Sequence, residues 1–242
     1  MVNRFLCVNV GDVYSPEYVH RLYYGIKRNI PWEYPRLTLV TDQPGGYPTY
    51  ATIDARNFME DGVPPHTHPG RWGRTMIFSP TAAKVLPNEP HLYVDIDNVI
   101  LSDLTPLLEQ IQGHEFSAHR PWRESVAATG LAASVMGVTP GSEASAAIWD
   151  YYWRNKDTYR EQLTQNLYRY ALEEAGLYDK VNWLSRKQVA SYKWLAGLSR
   201  PTPAWLGTEE EAIVLCCHGT PKPPEIIDQK LPGWETVKEA WR

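Results

Sequence analysis

The sequence predicts an α/β domain, a mixed, mostly parallel sheet flanked by helices, on three observations. Strand-like and helix-like runs alternate along the chain. One apolar run, His91–Val94, is followed at once by the acidic pair Asp95-Ile96-Asp97. The 242 residues hold 43% hydrophobic and 21% charged side chains, a balance that supports a folded core and excludes a disordered chain. No repeat, low-complexity tract or linker divides the sequence, so residues 1–242 read as one domain.

Arg4–Val10 reads as a buried strand. Ser15-Pro16-Glu17 then opens a helix with a capping hydroxyl, a proline in the first turn and an early acid, and Val19, Leu22, Tyr23 and Ile26 give it one apolar face. Leu37–Thr41 is the second strand, stopped by the turn formers Asp42-Gln-Pro-Gly-Gly46. Residues 54–73 are rich in Pro, Gly and His and read as a long surface loop, of a length uncommon without a function. A short helix is expected after Ser79-Pro80, a strand at His91–Val94, a helix at Ser102–Ile111, and strands at Glu115–His119 and Ala132–Val138. Ser142 caps a helix running to about Asn155, Asp157 starts another that ends at Gly176, and Ala212–His218 is the last strand.

Composition narrows the function. The net charge is −4, which argues against bulk binding to nucleic acid, although residues 119–200 carry +3 and the remainder −7. No run approaches ~18 apolar residues, so no membrane span is expected. The first residues lack a basic–apolar–small leader, and three cysteines, two of them adjacent, are too few for a disulfide framework; both point to a cytoplasmic protein. Ten Trp and fifteen Tyr against four Phe suit either half-wet clefts that hold rings and sugars or a core short of Phe.

The chemistry concentrates at Asp95 and Asp97. Period-2 alternation puts both on one side if the strand continues, with Ile96 turned into the core. Carboxylates converging in a partly buried place repel by ~4 kcal/mol at 4 Å and an effective dielectric of 20. A divalent cation offsets this, and oxygen ligands favour Mg²⁺, Mn²⁺ or Ca²⁺; the plain alternative is a turn with one capping and one solvated Asp. Two chemistries share the pattern. A phosphatase of the haloacid-dehalogenase type would use the first Asp as nucleophile, but it needs a downstream acidic pair, and after Asp103 only Asp150, Asp157, Asp179 and Asp228 are scattered along the chain. Glycosyl transfer from a nucleotide diphosphate sugar asks instead for a base-holding first strand, such as Val8-Asn9-Val10-Gly11, a cation near the phosphates and a late His for the metal.

The ordered motifs resemble those of bacterial and phage-type GT-A glycosyltransferases, distantly related to the glycogenin-like and galactosyltransferase enzymes. They are Cys7-Val-Asn-Val-Gly11, Tyr18-Val-His-Arg-Leu22, Thr41-Asp42-Gln-Pro44, Trp72-Gly-Arg74-Thr-Met-Ile-Phe78-Ser-Pro80, Tyr93-Val-Asp95-Ile-Asp97 with Asp103-Leu104, Ser134-Val-Met136, Ser191-Tyr192-Lys193 and His218-Gly-Thr-Pro-Lys222-Pro223. The resemblance implies a GT-A (Rossmann-like) fold, a UDP-sugar donor and Mn²⁺ or Mg²⁺. Asp95 would contact the ribose and the metal, Asp97 would be the main ligand and His218 the third, with both Asp residues in the catalytic role. Lys222 would reach the diphosphate; Val8, Asn9, Gly11 and Tyr14 would border the base, with Thr41 and Asp42 at its uracil-type edge. Arg74 stands where the family has Lys and would bring positive charge to the donor phosphates.

The acceptor side departs from the pattern. Ala132 stands where Asn is usual before the Ser-x-Met residues, and Leu163-Thr164-Gln165-Asn166 is the nearest match to a Gly-Asp-Gln stretch. No carboxylate base is thereby named, and inversion and retention both stay open. Candidate acceptor residues are Ser134, Gln165, Arg120, Trp122 and Arg123. The expected acceptor is a saccharide or a lipid-linked hydroxyl; the alternatives are a hydroxylated base in phage-type DNA, or an inactive binder of nucleotide sugars. His66-Thr-His68 is a weak metal candidate, since zinc would need further ligands and Cys216-Cys217 lacks knuckle spacing.

Overall fold

The computed structural model describes residues 3–43, 45–49, 51–61, 73–123, 130–156, 164–197 and 211–242. Ten strands are seen among them: β1 (Arg4–Asn9), β2 (Arg36–Thr41), β3 (Ala51–Asp54), β4 (His91–Val94), β5 (Asn98–Ile100), β6 (Phe116–His119), β7 (Ala132–Val138), β8 (Asn182–Leu184), β9 (Val189–Ser191) and β10 (Val214–Cys216). The helices are α1 (Pro16–Arg28), α2 (Pro80–Val85), α3 (Thr105–Gln110), α4 (Glu143–Asn155), α5 (Thr164–Glu174), α6 (Tyr192–Leu195), α7 (Pro223–Asp228) and α8 (Trp234–Ala240), with 3₁₀ turns at Ala55–Asp61, Gly73–Phe78 and Tyr178–Lys180.

Seven strands form the main sheet in the order β3-β2-β1-β4-β7-β6-β8. Only β7 runs antiparallel to its neighbours, β4 and β6. The chain steps outward from β1 to β2 and β3, then returns to place β4 on the other side of β1. Such a reversal leaves a crevice beyond the carboxyl ends of the strands, where open α/β sheets bind their ligands. Alternation along β1 sends Leu6 and Val10 into one core, with Tyr93, Met136 and Tyr168, and Phe5 and Cys7 into the other, with Leu22, Ile26 and Leu92. Both faces of the sheet are therefore covered, which is why its strands read as near-continuous apolar runs.

The sequence-derived elements are found within a few residues of their expected bounds, and His91–Val94 and Ala132–Val138 match at both ends. The helix starts have local causes. Ser79 and Ser142 cap α2 and α4, accepting from the amides of Ala82 and Ser145 at 3.1 and 3.2 Å. The expected helix at Ser102–Ile111 shortens to α3, because Asp103 accepts from the Thr105 amide and hydroxyl and so turns the chain before the first helical residue. The expected loop 54–73 contains a 3₁₀ turn at Ala55–Asp61, preceded by the unforeseen β3; residues 62–72, with His66, His68 and Trp72, lie outside the described residues, as do 157–163 of the expected helix from Asp157.

Three strands were not expected as a unit. β5, β10 and β9 make a second, small sheet, antiparallel between β10 and β5 and parallel between β10 and β9. Val99, Ala190, Tyr192, Leu215 and Cys217 of this region pack with Ile226, Val237 and Trp241 of the C-terminal helices. The small sheet joins the chain just after β4 to the segment that follows β10, and so brings His218 and Lys222 back to the acidic pair.

Candidate active site

The site begins where β4 stops. The strand ends at Val94, as its expected bounds have it, so the condition for a pleated pair, a strand running on through the acids, is not met. Asn98 donates its amide to the Asp95 carbonyl at 3.1 Å, closing a tight turn across Ile96 and Asp97, and its side-chain amide donates to the Ser134 carbonyl at 2.9 Å. The same carbonyl accepts from the Asp95 amide at 2.9 Å. Ile96 is buried as expected, and its anchoring in the core fixes the turn.

Each carboxylate has recruited a cation. The Arg74 guanidinium lies 3.2 Å from Asp95 and also donates to the Ala133 carbonyl at 3.1 Å. Tyr93 adds a hydroxyl to Asp95 at 2.7 Å. Burial is the largest single influence on Arg74 and works against its charge, but Asp95, Tyr93, Tyr168 and Asp97 together outweigh it and keep the guanidinium protonated. For Asp95, burial is the largest influence and raises its pKa; Arg74 counters this, and the neighbouring Asp97 adds to the rise. Asp97, 6% exposed, accepts a hydrogen bond from the Tyr14 hydroxyl at 2.9 Å and is in direct contact with the Lys222 ammonium. Lys222 also donates to the Cys217 carbonyl at 3.2 Å. Burial and then Asp97 push the Tyr14 phenol upward, so it stays a donor.

The remaining predicted donor residues line the adjoining end of β1 and β2. Asn9 is buried and its amide reaches the Tyr14 carbonyl at 3.4 Å. Gly11, at φ 84, bends the chain after β1, and its N–H donates to both oxygens of Asp42 at 3.1 and 3.2 Å. Thr41 is fully buried and accepts from the Gln43 amide at 3.1 Å. Val8 and Val10 pack towards Gly73, at the start of the 3₁₀ turn that bears Arg74.

His218 follows β10 on the far wall. Its Nε2 lies 2.7 Å from the Ser191 hydroxyl, and its ring stacks on Trp122 with centroids 4.9 Å apart and planes 6° from parallel. The Trp122 indole N–H is held by the Val189 carbonyl at 2.9 Å, and its other contact is His119, at 4.6 Å. Burial lowers the His218 pKa to about 4, so the ring is neutral near pH 7 and able to act as a ligand. The expected three-ligand shell is nevertheless not assembled: no cluster of three His, Cys, Asp or Glu side chains suited to a metal ion occurs among the described residues. Ser191 holds Nε2 of His218, and Lys222 occupies the side of Asp97 where a cation would bind. The donor set itself, two carboxylates and a neutral imidazole in a pocket that already attracts positive charge, suits Mn²⁺ or Mg²⁺.

The acceptor candidates scatter. Ser134 contributes its backbone to the Asp95 turn. Arg120 stacks its guanidinium 3.3 Å from the Trp183 ring centroid and donates to the Tyr178 hydroxyl at 2.7 Å, so it is held inside an aromatic cluster. Trp122, 7% exposed, backs the His218 ring by stacking, which leaves little of it open to an acceptor. Arg123 is exposed, and the Gln165 side chain lies outside the described residues. Two contributors escaped the sequence reading: Tyr93, two residues before Asp95, which was counted only as strand, and Ser191, noted within its motif but given no task.

This architecture is the GT-A fold of the glycosyltransferases. The chain is similar to the galactosyltransferase LgtC solved with donor and acceptor sugar analogues (15% identity, 98% of this chain and 95% of that one, TM-score 0.63) and to GlyE of Streptococcus pneumoniae (15%, 98% and 63%, TM-score 0.61). Mouse xyloside xylosyltransferase 1 is similar over 90% of this chain and 98% of its own, at 11% identity and a TM-score of 0.57. No family model and no curated protein matches the sequence. No helix among the described residues is long and apolar enough to cross a membrane.

Proposed function

We propose that this chain is a metal-dependent glycosyltransferase that moves a sugar from a nucleotide diphosphate sugar, a UDP-sugar, to a hydroxyl of a saccharide or lipid-linked acceptor. The observation that carries the reading is the buried Asp95/Asp97 turn at the carboxyl end of β4, each acid neutralised by a cation, in a fold shared with glycosyltransferases. Asp95 and Asp97 would hold Mn²⁺ or Mg²⁺, with His218 completing the set. When bound, the metal offsets the charge that grows on the leaving diphosphate. Lys222 would exchange Asp97 for a phosphate oxygen as donor and metal enter. Tyr14 keeps Asp97 oriented through that exchange, while Arg74 and Tyr93 fix Asp95. The Gly11 bend, pinned by Asp42, shapes the base-facing end of the crevice.

The phosphatase reading is disfavoured because an Asp95 clasped by Arg74 and Tyr93 is a poor nucleophile. The DNA-base reading loses support because Arg120 is engaged with Trp183 and Tyr178. A thermal-shift panel of nucleotides with and without Mn²⁺ tests the proposal, since a ligand that binds only the folded chain raises its stability with occupancy. UDP with Mn²⁺ should give the largest rise, and UDP-sugars should release UDP slowly in the absence of an acceptor. No shift with any nucleoside diphosphate would overturn it.

A further inference from the structure

β9 passes directly into α6, so Ser191, Tyr192 and Lys193 are consecutive on the wall that faces His218. Two of them have evident partners: Ser191 the His218 ring, at 2.7 Å, and Tyr192 the Pro232 carbonyl, to which its hydroxyl donates at 2.9 Å. Lys193 is half-buried and has no hydrogen bond or ion pair among the described residues. Its ammonium rests against Gly219, in the loop between His218 and Lys222. A Cβ at Gly219 would stand 2.9 Å from Lys193 Nζ, and the residue's φ of 68 is itself a conformation that favours glycine. The left-handed φ accounts for the glycine, since Lys193 Nζ is the far end of a flexible side chain that a Cβ would displace; the short distance places the ammonium against this loop.

Two ammonium groups therefore border one loop, and the carboxylate in contact with one of them, Asp97, is held by Lys222. A half-desolvated, unpaired cation is costly, so the arrangement asks for an anion with charge enough for both. We propose that Lys193 is a second phosphate-binding residue, gripping the diphosphate of the donor from the Gly219 side while Lys222 holds it from the Asp97 side. This rests on the donor reading above and deepens it: the site selects nucleoside diphosphates over monophosphates through two lysines rather than one.

Calorimetric titration of uridine, UMP and UDP, with Mn²⁺ present, into the full chain and into its Lys193→Met and Lys193→Arg variants tests this. Lys193→Met should weaken UDP by about 10-fold, the loss of one charge-assisted contact, and leave uridine within about 2-fold. Lys193→Arg, which keeps the charge, should recover most of the UDP affinity. UDP binding unchanged in Lys193→Met, or uridine and UDP weakened alike, would overturn the role of Lys193 while leaving the donor reading intact. A wild-type chain that binds none of the three would overturn both. Should Lys193→Met fail to fold, Lys193→Gln, of smaller volume and equally neutral, is read by the same criteria.

Discussion

Asp97 meets both a tyrosine and a lysine, and the two partners have different fates when a cation arrives. Tyr14 donates a neutral hydrogen bond and need not move, whereas the Lys222 ammonium competes for the same oxygen. Asp97→Ala should abolish sugar transfer and the Mn²⁺-dependent part of UDP binding with little loss of fold; unchanged turnover would remove the residue from the site. Lys222→Met should lower UDP affinity yet raise the affinity for Mn²⁺ alone, measured by titration without nucleotide, because the competing charge is gone. An unaltered Mn²⁺ affinity would show that Lys222 does not guard Asp97. Arg74 acts on stability as well as charge. Arg74→Met leaves Asp95 in its pocket without its cation, and should cost about 3 kcal/mol in denaturant unfolding, with Arg74→Lys recovering part of it.

The elements matter through their ends. β4 ends at Val94, and the turn from Asp95 to Asn98, rather than a pleat, carries the acids; it is tied to β7 by both Asn98 and Asp95 at the Ser134 carbonyl. The other support of the site is the register of β7 against β6 and α3. Gly137 on β7 has no room for a side chain, since a Cβ there would stand 2.7 Å from Ile111 Cγ2 and 2.9 Å from Ser117 Cβ. Gly137→Ala should therefore destabilise by about 1–3 kcal/mol through overpacking, seen as a lower denaturation midpoint without a change of slope. A neutral result would mean that α3 shifts freely on the sheet.

At the scale of the whole molecule, buried neutral imidazoles set the acid limit of the fold. His91 and His119 are both buried and their pKa values are lowered to about 4, chiefly by burial. An unfolded histidine takes up its proton near 6.5. Between these values the unfolded chain binds more protons than the folded one, so stability is full above about pH 6.5 and falls as the pH drops towards 4, by on the order of 3 kcal/mol per ring. Urea midpoints measured across that window should decline, and His119→Phe should flatten the decline; a flat wild-type profile would contradict it.

Much of this was legible from local pattern. The alternation of runs, the caps at Ser79 and Ser142 and the apolar stretch ending at Asp95 depend on neighbours within a few residues, and so the main strands, the helix starts and the acidic pair could be read directly. Contacts spanning long stretches of chain could not. Trp122 looked like an acceptor clamp because no local signal tells that its indole is held by Val189, 67 residues on, and covered by His218. Arg120 gave no local sign of its partners, because Tyr178 lies 58 residues on and Trp183 sits on β8, which joins the chain beside β6 only in the folded sheet. The sequence by itself determined the layered α/β fold and the place of the two carboxylates, because both follow from periodicity and chain punctuation. Only the tertiary structure decided which cation meets which acid, and set Lys193 beside Gly219, because the small sheet that folds the last third of the chain back onto β4 is built from strands of three residues, too short to carry a pattern of their own.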